Sequence, residues 1–236
     1  MDKSKGKLYL IPSSLGNSKL NSIIPEYNSK IINRLDEFIV ENIRTARRFL
    51  KKTGFKKSFD NITFYILDKH SDQTEILSYL NSIDKGKDIG LLSEAGTPCI
   101  ADPGAEIVRM AHQKNIRVIP LVGPSSIFLA LMASGFNGQN FIFHGYLPVK
   151  KYLKINKIKT LEKDAQQKNQ TQIFIETPYR NKQLLDSIIE TCNKETLLCI
   201  ACDITLKNEF ITTKTIAEWS KNLPEIHKRP TVFLLY

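Results

Sequence analysis

Three short segments rich in small residues could bring main-chain groups against a ligand: Ser13 to Ser18, Ser93 to Gly104 and Gly123 to Ser126. Small side chains let backbone N–H and C=O groups approach closely, as an adenosine-containing cofactor requires. None of the three matches GxGxxG, and the chain has no GxxxxGK[ST], so dinucleotide hydride transfer and P-loop chemistry are set aside. Charge is the second feature. From Arg44 to Lys57 the chain reads RTARRFLKKTGFKK, with seven cations and no acid. On a helix Arg44, Arg47, Arg48 and Lys51 fall at i, i+3, i+4 and i+7 and form one cationic stripe. Such a stripe fits phosphates through counterion release, and it fits a solvated helix face equally well. Cys199-Ile200-Ala201-Cys202 is formally a CxxC. It lies in an apolar run with no second pair or nearby His, so it reads as buried strand thiols, and no metal is expected.

Each small-residue loop needs an element to hold it. Lys7 to Pro12 (KLYLIP), Asp88 to Leu92 and Arg117 to Val122 are short β-rich runs directly before the three loops. Helices are expected after Pro103, carrying Ile107, Val108 and Ala111, and from Ile127 to Ser134, capped by Ser125 or Ser126. Phe38 to Val40 and Ile62 to Leu67 add strands, and Asp72 to Leu80 has helical spacing. Repeated strand–loop–helix units imply a mainly parallel sheet covered by helices, with ligands at the loops after the strands. Phe141 to Phe143 is a further strand. A polar stretch from Val149 to Gln172 follows, its middle expected to be a solvated helix, and it places a domain boundary at about Pro148: residues 1–148 and 149–236. Beyond it come strands at 171–175, 196–203 and 231–236 and helices at 180–191 and 215–222. The fold class expected is therefore α/β in both domains, with a mainly parallel N-terminal sheet.

The 236 residues carry 34 Lys+Arg against 24 Asp+Glu, a formal charge of +10, with 42% hydrophobic residues. This is the composition of a globular protein large enough for two cores. With no long apolar run, a polar start and four scattered cysteines, a cytoplasmic protein with no membrane segment is expected.

Five segments, in order, carry a resemblance. Leu91 to Gly104 (LLSEAGTPCIADPG) resembles the (L/V)SDAGTPxISDPG segment of the tetrapyrrole methylase superfamily, most closely in the branch that methylates a ribose 2′-hydroxyl in bacterial small-subunit rRNA. Ile11 to Asn17 (IPSSLGN) resembles its PTPIGN, and Glu41 to Leu50 (ENIRTARRFL) its EDTRxTRRLL. Pro120 to Ser126 (PLVGPSS) and Phe174 to Arg180 (FIETPYR) resemble PLPGPSA and FYESPHR. The resemblance implies a homodimeric two-domain α/β methyltransferase, with a mainly parallel N-terminal and a mixed C-terminal sheet, that binds S-adenosylmethionine between its domains and releases S-adenosylhomocysteine. It assigns the cofactor to Leu15, Ser93, Glu94, Ala95, Gly96, Thr97, Cys99, Ile100, Ser125, Ser126 and Glu176.

An rRNA or ribosomal-subunit partner would meet Arg44, Arg47, Arg48 and Lys51. A ribose hydroxyl has a very high pKa, so a general base is expected; Glu41 and Asp68 are the candidates, with His70 next. The chain departs from the family pattern in three places: Glu94 stands for an Asp, Asn42-Ile43 for Asp-Thr, and Cys202 to Glu209 (CDITLKNE) for RELTKxHE. Two other readings stay open. One is methylation of a corrin or porphyrin precursor, whose carboxylates also suit a cationic cleft. The other is a non-catalytic cofactor- or RNA-binding module.

Overall fold

The computed structural model describes residues 5–67 and 73–236. The chain forms two compact units, Met1–Pro124 and Ser125–Tyr236. In the first, strands β1 (Lys7–Ile11), β2 (Glu37–Val40), β3 (Thr63–Ile66), β4 (Ile89–Leu92) and β5 (Arg117–Pro120) make a parallel sheet in the order β3-β2-β4-β1-β5. Helices α1 (Glu26–Ile32), α2 (Ile43–Lys52), α3 (Gln73–Tyr79), α4 (Asn81–Asp84) and α5 (Gly104–Gln113) connect them. β2 and β4 are buried along their whole length, as interior strands of a parallel sheet covered on both faces must be. Side chains alternate between the faces: Ile11, Phe38 and Leu50 build one core, Leu8, Ile39, Leu80 and Ile107 the other. Gly90 lets the first core close over β4, since a Cβ there would meet Ile11 Cδ1 at 2.6 Å.

The second unit contains α6 (Ser126–Ser134), β6 (Phe141–Tyr146), α7 (Lys151–Lys168), β7 (Thr171–Ile175), α8 (Asn181–Thr191), β8 (Leu197–Cys202), β9 (Phe210–Thr215), α9 (Ile216–Lys221) and β10 (Thr231–Leu235). Its sheet runs β6-β7-β10-β8-β9; β6 and β7 are parallel and the remaining pairs antiparallel, so it is mixed. Its own core joins Leu161, Phe174, Leu184, Ile200, Trp219 and Phe233.

The units divide at Pro124/Ser125, not at the 148/149 boundary expected from composition. α6 packs on β8, β9 and β10, and β6 pairs with β7, so both belong to the second unit. The polar stretch after the expected boundary is α7, the helix expected there, but it is not merely solvated: it buries Ile158, Leu161 and Ala165 and leaves its lysines largely outside. α1, α4 and β9 have no counterpart in the sequence reading. β9 (FITTKT) is half-buried along its length, so it shows no clear apolar alternation.

Candidate functional site

Strand order decides what can meet at the carboxyl edge of the first sheet. β4 lies between β2 and β1, with Leu92 paired to both Val40 and Ile11. The loop after β1, the helix after β2 and the loop after β4 therefore leave the sheet side by side. Together they enclose a cavity of about 470 Å³. Its lining comes from Ser13–Asn17 after β1, from Thr45, Arg48, Phe49 and Lys52 on α2, and from Ser93–Ala95 after β4.

The loops are fixed by their own hydrogen bonds. The Gly96 carbonyl accepts from the Ser13 N–H at 2.9 Å and from the Ser93 hydroxyl at 2.5 Å, which ties the two strand-end loops together. Gly96 has φ +72°, and a Cβ there would meet Leu15 Cδ2 at 3.0 Å and the Pro124 carbonyl oxygen at 3.1 Å, so this close approach needs glycine. Farther along, Cys99 (φ +69°) and Ala101 (φ +63°) also sit in the left-handed region. Asp102 holds that turn by accepting from the Cys99 N–H at 2.9 Å and the Gly104 N–H at 2.8 Å. Two non-glycine residues in the left-handed region, Cys99 and Ala101, make this a strained segment, held by the polar contacts around it. Burial, and secondarily the Asp102 carboxylate, push the Cys99 thiol up to about 12, so it stays protonated.

α2 begins at Asn42, whose side chain accepts from the N–H groups of Arg44 at 2.9 Å and Thr45 at 3.3 Å. That departure from the family's Asp thus keeps the capping function, for which Asn and Asp serve equally. The Thr45 hydroxyl reaches Glu94 Oε1 at 2.6 Å, and Lys52 Nζ donates to Asn17 Oδ1 at 2.8 Å. The expected single cationic stripe is split. Arg48 and Lys52 line the cavity. Arg47 instead lies 5.4 Å from the ring centroids of both Phe59 and Phe64, and Lys51 5.9 Å from Phe59. The bulk of Phe55, Phe59 and Phe64 beside α2 draws those two cations aside; helical spacing alone carries no trace of it.

Of the residues singled out from sequence, the cavity brings together Leu15, Ser93, Glu94, Ala95 and Arg48, with Gly96 bonded just behind them. Thr97 is half-buried and Ile100 exposed, and neither Cys99 nor these two lines the cavity. Glu41 lies at a smaller neighbouring depression with Leu67, Pro98 and Asp102. Asp68 and His70 fall outside the described residues. Ser125 and Ser126 open α6 in the second unit, and Ser125 occupies the cap position without a side-chain capping bond. Glu176, 6% exposed, accepts from the Thr177 N–H at 2.6 Å and Arg180 at 2.7 Å. Burial pushes its carboxyl up, but those hydrogen bonds outweigh it and the net shift is downward. In the departing segment Cys202 to Glu209, Arg229 donates to Asp203 at 2.8 Å and to the Asn208 carbonyl at 2.7 Å, which holds the loop after β8. Sequence reasoning missed Thr45 and Lys52, although both lie on the Arg48 face of α2 at i−3 and i+4.

Cys199 and Cys202 are fully buried in β8 and unpaired, their thiols raised by burial, as strand cysteines would be. Among the described residues no helix is long and apolar enough to cross a membrane.

A parallel unit with small-residue loops at its carboxyl edge, followed by a mixed unit of five strands, is an architecture shared with solved methyltransferase structures. The methyltransferase CobJ (TM-score 0.64, 14% identity, 98% of this chain and 93% of that one) and cobalt precorrin-4 methyltransferase CbiF (TM-score 0.61, 16% identity, 97% and 94%) have this fold. The chain belongs to the Tetrapyrrole (Corrin/Porphyrin) Methylases, whose family model matches residues 25–219, and it is a methyltransferase of that family. Its relatives include Ribosomal RNA small subunit methyltransferase I of Buchnera aphidicola subsp. Schizaphis graminum, 32% identical over 98% of this chain and 78% of that protein. The proteins of the same name from Escherichia coli O157:H7 (29%; 92% and 72%) and Bacillus subtilis strain 168 (31%; 90% and 68%) are similar too.

Proposed function

We propose that this protein transfers the methyl group of S-adenosylmethionine to a ribose 2′-hydroxyl of small-subunit rRNA, acting in the cytoplasm as a homodimer. The observation that carries the reading is the convergence of two small-residue loops and the Arg48–Lys52 face of α2 on one cavity. Its volume falls in the range of about 300–1,000 Å³ typical of small-molecule sites. Its close backbone approach at Gly96 and its hydroxyl-rich lining suit an adenosyl amino acid. Ser13–Asn17, Ser93, Ala95 and Gly96 would hold the cofactor, with Thr97, Cys99, Ile100, Ser125, Ser126 and Glu176 as further candidates. When bound, S-adenosylmethionine supplies a methyl group already activated by its sulfonium.

The protein's own work is then to place the acceptor oxygen in line and exclude water. Arg48 and Lys52 would hold the phosphates flanking the acceptor nucleotide. The rRNA assignment is supported by the relatives' names at about 30% identity; the solved methyltransferases CobJ and CbiF, at 14–16%, share the fold alone. The test is transfer of a labelled methyl from S-adenosylmethionine to small ribosomal subunits from a strain lacking the gene, with the product mapped as an alkali-resistant 2′-O-methyl nucleotide. Label in that product is expected. Absence of label from every RNA tried, or label on a base, would overturn the reading.

A further inference from the structure

Among the described residues lining the cavity, Glu94 is the one carboxylate. We infer that Glu94 is the general base for the acceptor hydroxyl and that Thr45 is the residue that orients it; the inference rests on the ribose-methylation reading above. Glu94 stands where the loop leaving β4 faces the cationic side of α2, between the cofactor-type loop and the face that would hold phosphates. Its side chain is exposed to the cavity, not sunk beneath it.

The single proton of the Thr45 hydroxyl has two acceptors in reach, the Asn42 carbonyl at 2.9 Å and Glu94 Oε1 at 2.6 Å. The shorter, charge-assisted bond to the carboxylate takes it. Oε1 is thereby fixed, and among the described residues Oε2 has no partner. A carboxylate anchored through one oxygen with the other free is arranged to accept a proton. The other acids do not compete. Glu41 lines a different depression, and Glu176 is committed to Arg180 and the Thr177 N–H. Glutamate, one methylene longer than the aspartate of the related motif, spans the distance from the β4 loop to α2.

In the step, Glu94 Oε2 takes the hydroxyl proton as the ribose oxygen forms its bond to the methyl carbon. The carbon–sulfur bond breaks with its electron pair left on sulfur, giving S-adenosylhomocysteine, and Glu94 returns the proton to solvent after the products leave. Arg48 and Lys52 are the charged groups that face Glu94 from α2.

The experiment compares the full-length wild type with Glu94→Gln, Glu94→Asp, Thr45→Val and Thr45→Ser. Calorimetry reads S-adenosylmethionine affinity, filter binding reads small-subunit affinity, and single-turnover transfer is followed across pH. Glu94→Gln should slow transfer by about 10²–10⁴-fold while both affinities stay within about twofold. Thr45→Val should lower kcat by about tenfold at unchanged KM, and Thr45→Ser should restore it, as expected of an orienting hydroxyl. Transfer at the wild-type rate by Glu94→Gln would overturn the inference. So would a loss of cofactor affinity that parallels the loss of rate, which would make Glu94 a cofactor ligand. If wild-type protein methylates no RNA, the parent reading fails; if it does and Glu94→Gln matches it, only the base assignment fails.

Discussion

Single residues at this site are set by backbone geometry as much as by chemistry. Gly96 carries both constraints, a left-handed φ and no room for a Cβ beside Leu15 and Pro124. Gly96→Ala should cost about 1–2 kcal/mol of stability, read by urea denaturation, and should weaken S-adenosylmethionine binding in the same protein. Glu176 gives a pH signature. Its folded-state pKa is depressed, so its contribution is present above the ordinary carboxylate value and is lost as pH falls through the folded value. Glu176→Gln should destabilise by about 1–2 kcal/mol at pH 7, a figure kept low because the Arg180 side chain is 38% exposed, and the deficit should shrink at an acid pH below the ordinary carboxylate value. Urea curves at both pH values check it. Glu94 shows why residue roles were only half legible. Its motif marks it as part of the site, but the Thr45 hydrogen bond that leaves one carboxylate oxygen available joins residues 49 positions apart.

At the level of elements, α2 carries the sharpest test. Its cationic spacing is plain in sequence, and the structure starts it at Asn42, a residue suited to the N-cap. Asn42→Ala should cost about 1 kcal/mol, whereas Asn42→Asp should be close to neutral; chemical denaturation separates the two. The helix presents its cations in two directions. Arg48→Glu with Lys52→Glu should weaken RNA binding and reduce the salt slope by about two, one for each phosphate left without its cation. Arg47→Glu with Lys51→Glu should leave that slope nearly unchanged and cost about 0.5–1 kcal/mol for each cation taken off its ring. Equal slopes in the two double variants would show that the stripe acts as one surface after all. Periodicity could not separate these pairs, because the aromatic residues that divide them come from outside the helix.

For the whole molecule, each unit has its own core, so unligated protein should unfold with a calorimetric enthalpy larger than the van't Hoff value. S-adenosylmethionine at about 100 times its Kd should add about 2.7 kcal/mol to the native state and raise the melting temperature; no shift would remove the proposed cofactor site. The chain by itself determined most of the alternation of strands and helices, the mainly parallel first sheet and the loops that carry the site. These are local matters of apolar period, small residues and caps, written in neighbouring positions. The unit boundary was misplaced because α7 is polar on most of its surface yet packs through a few apolar residues, and composition registers the surface more strongly than the seam. Only the tertiary structure decided that β4 lies between β2 and β1, and with that order came the cavity. The meeting of Ser13, Thr45, Arg48 and Glu94 depends on which strands pair, a choice made by burial of both sheet faces at once and not by any one segment.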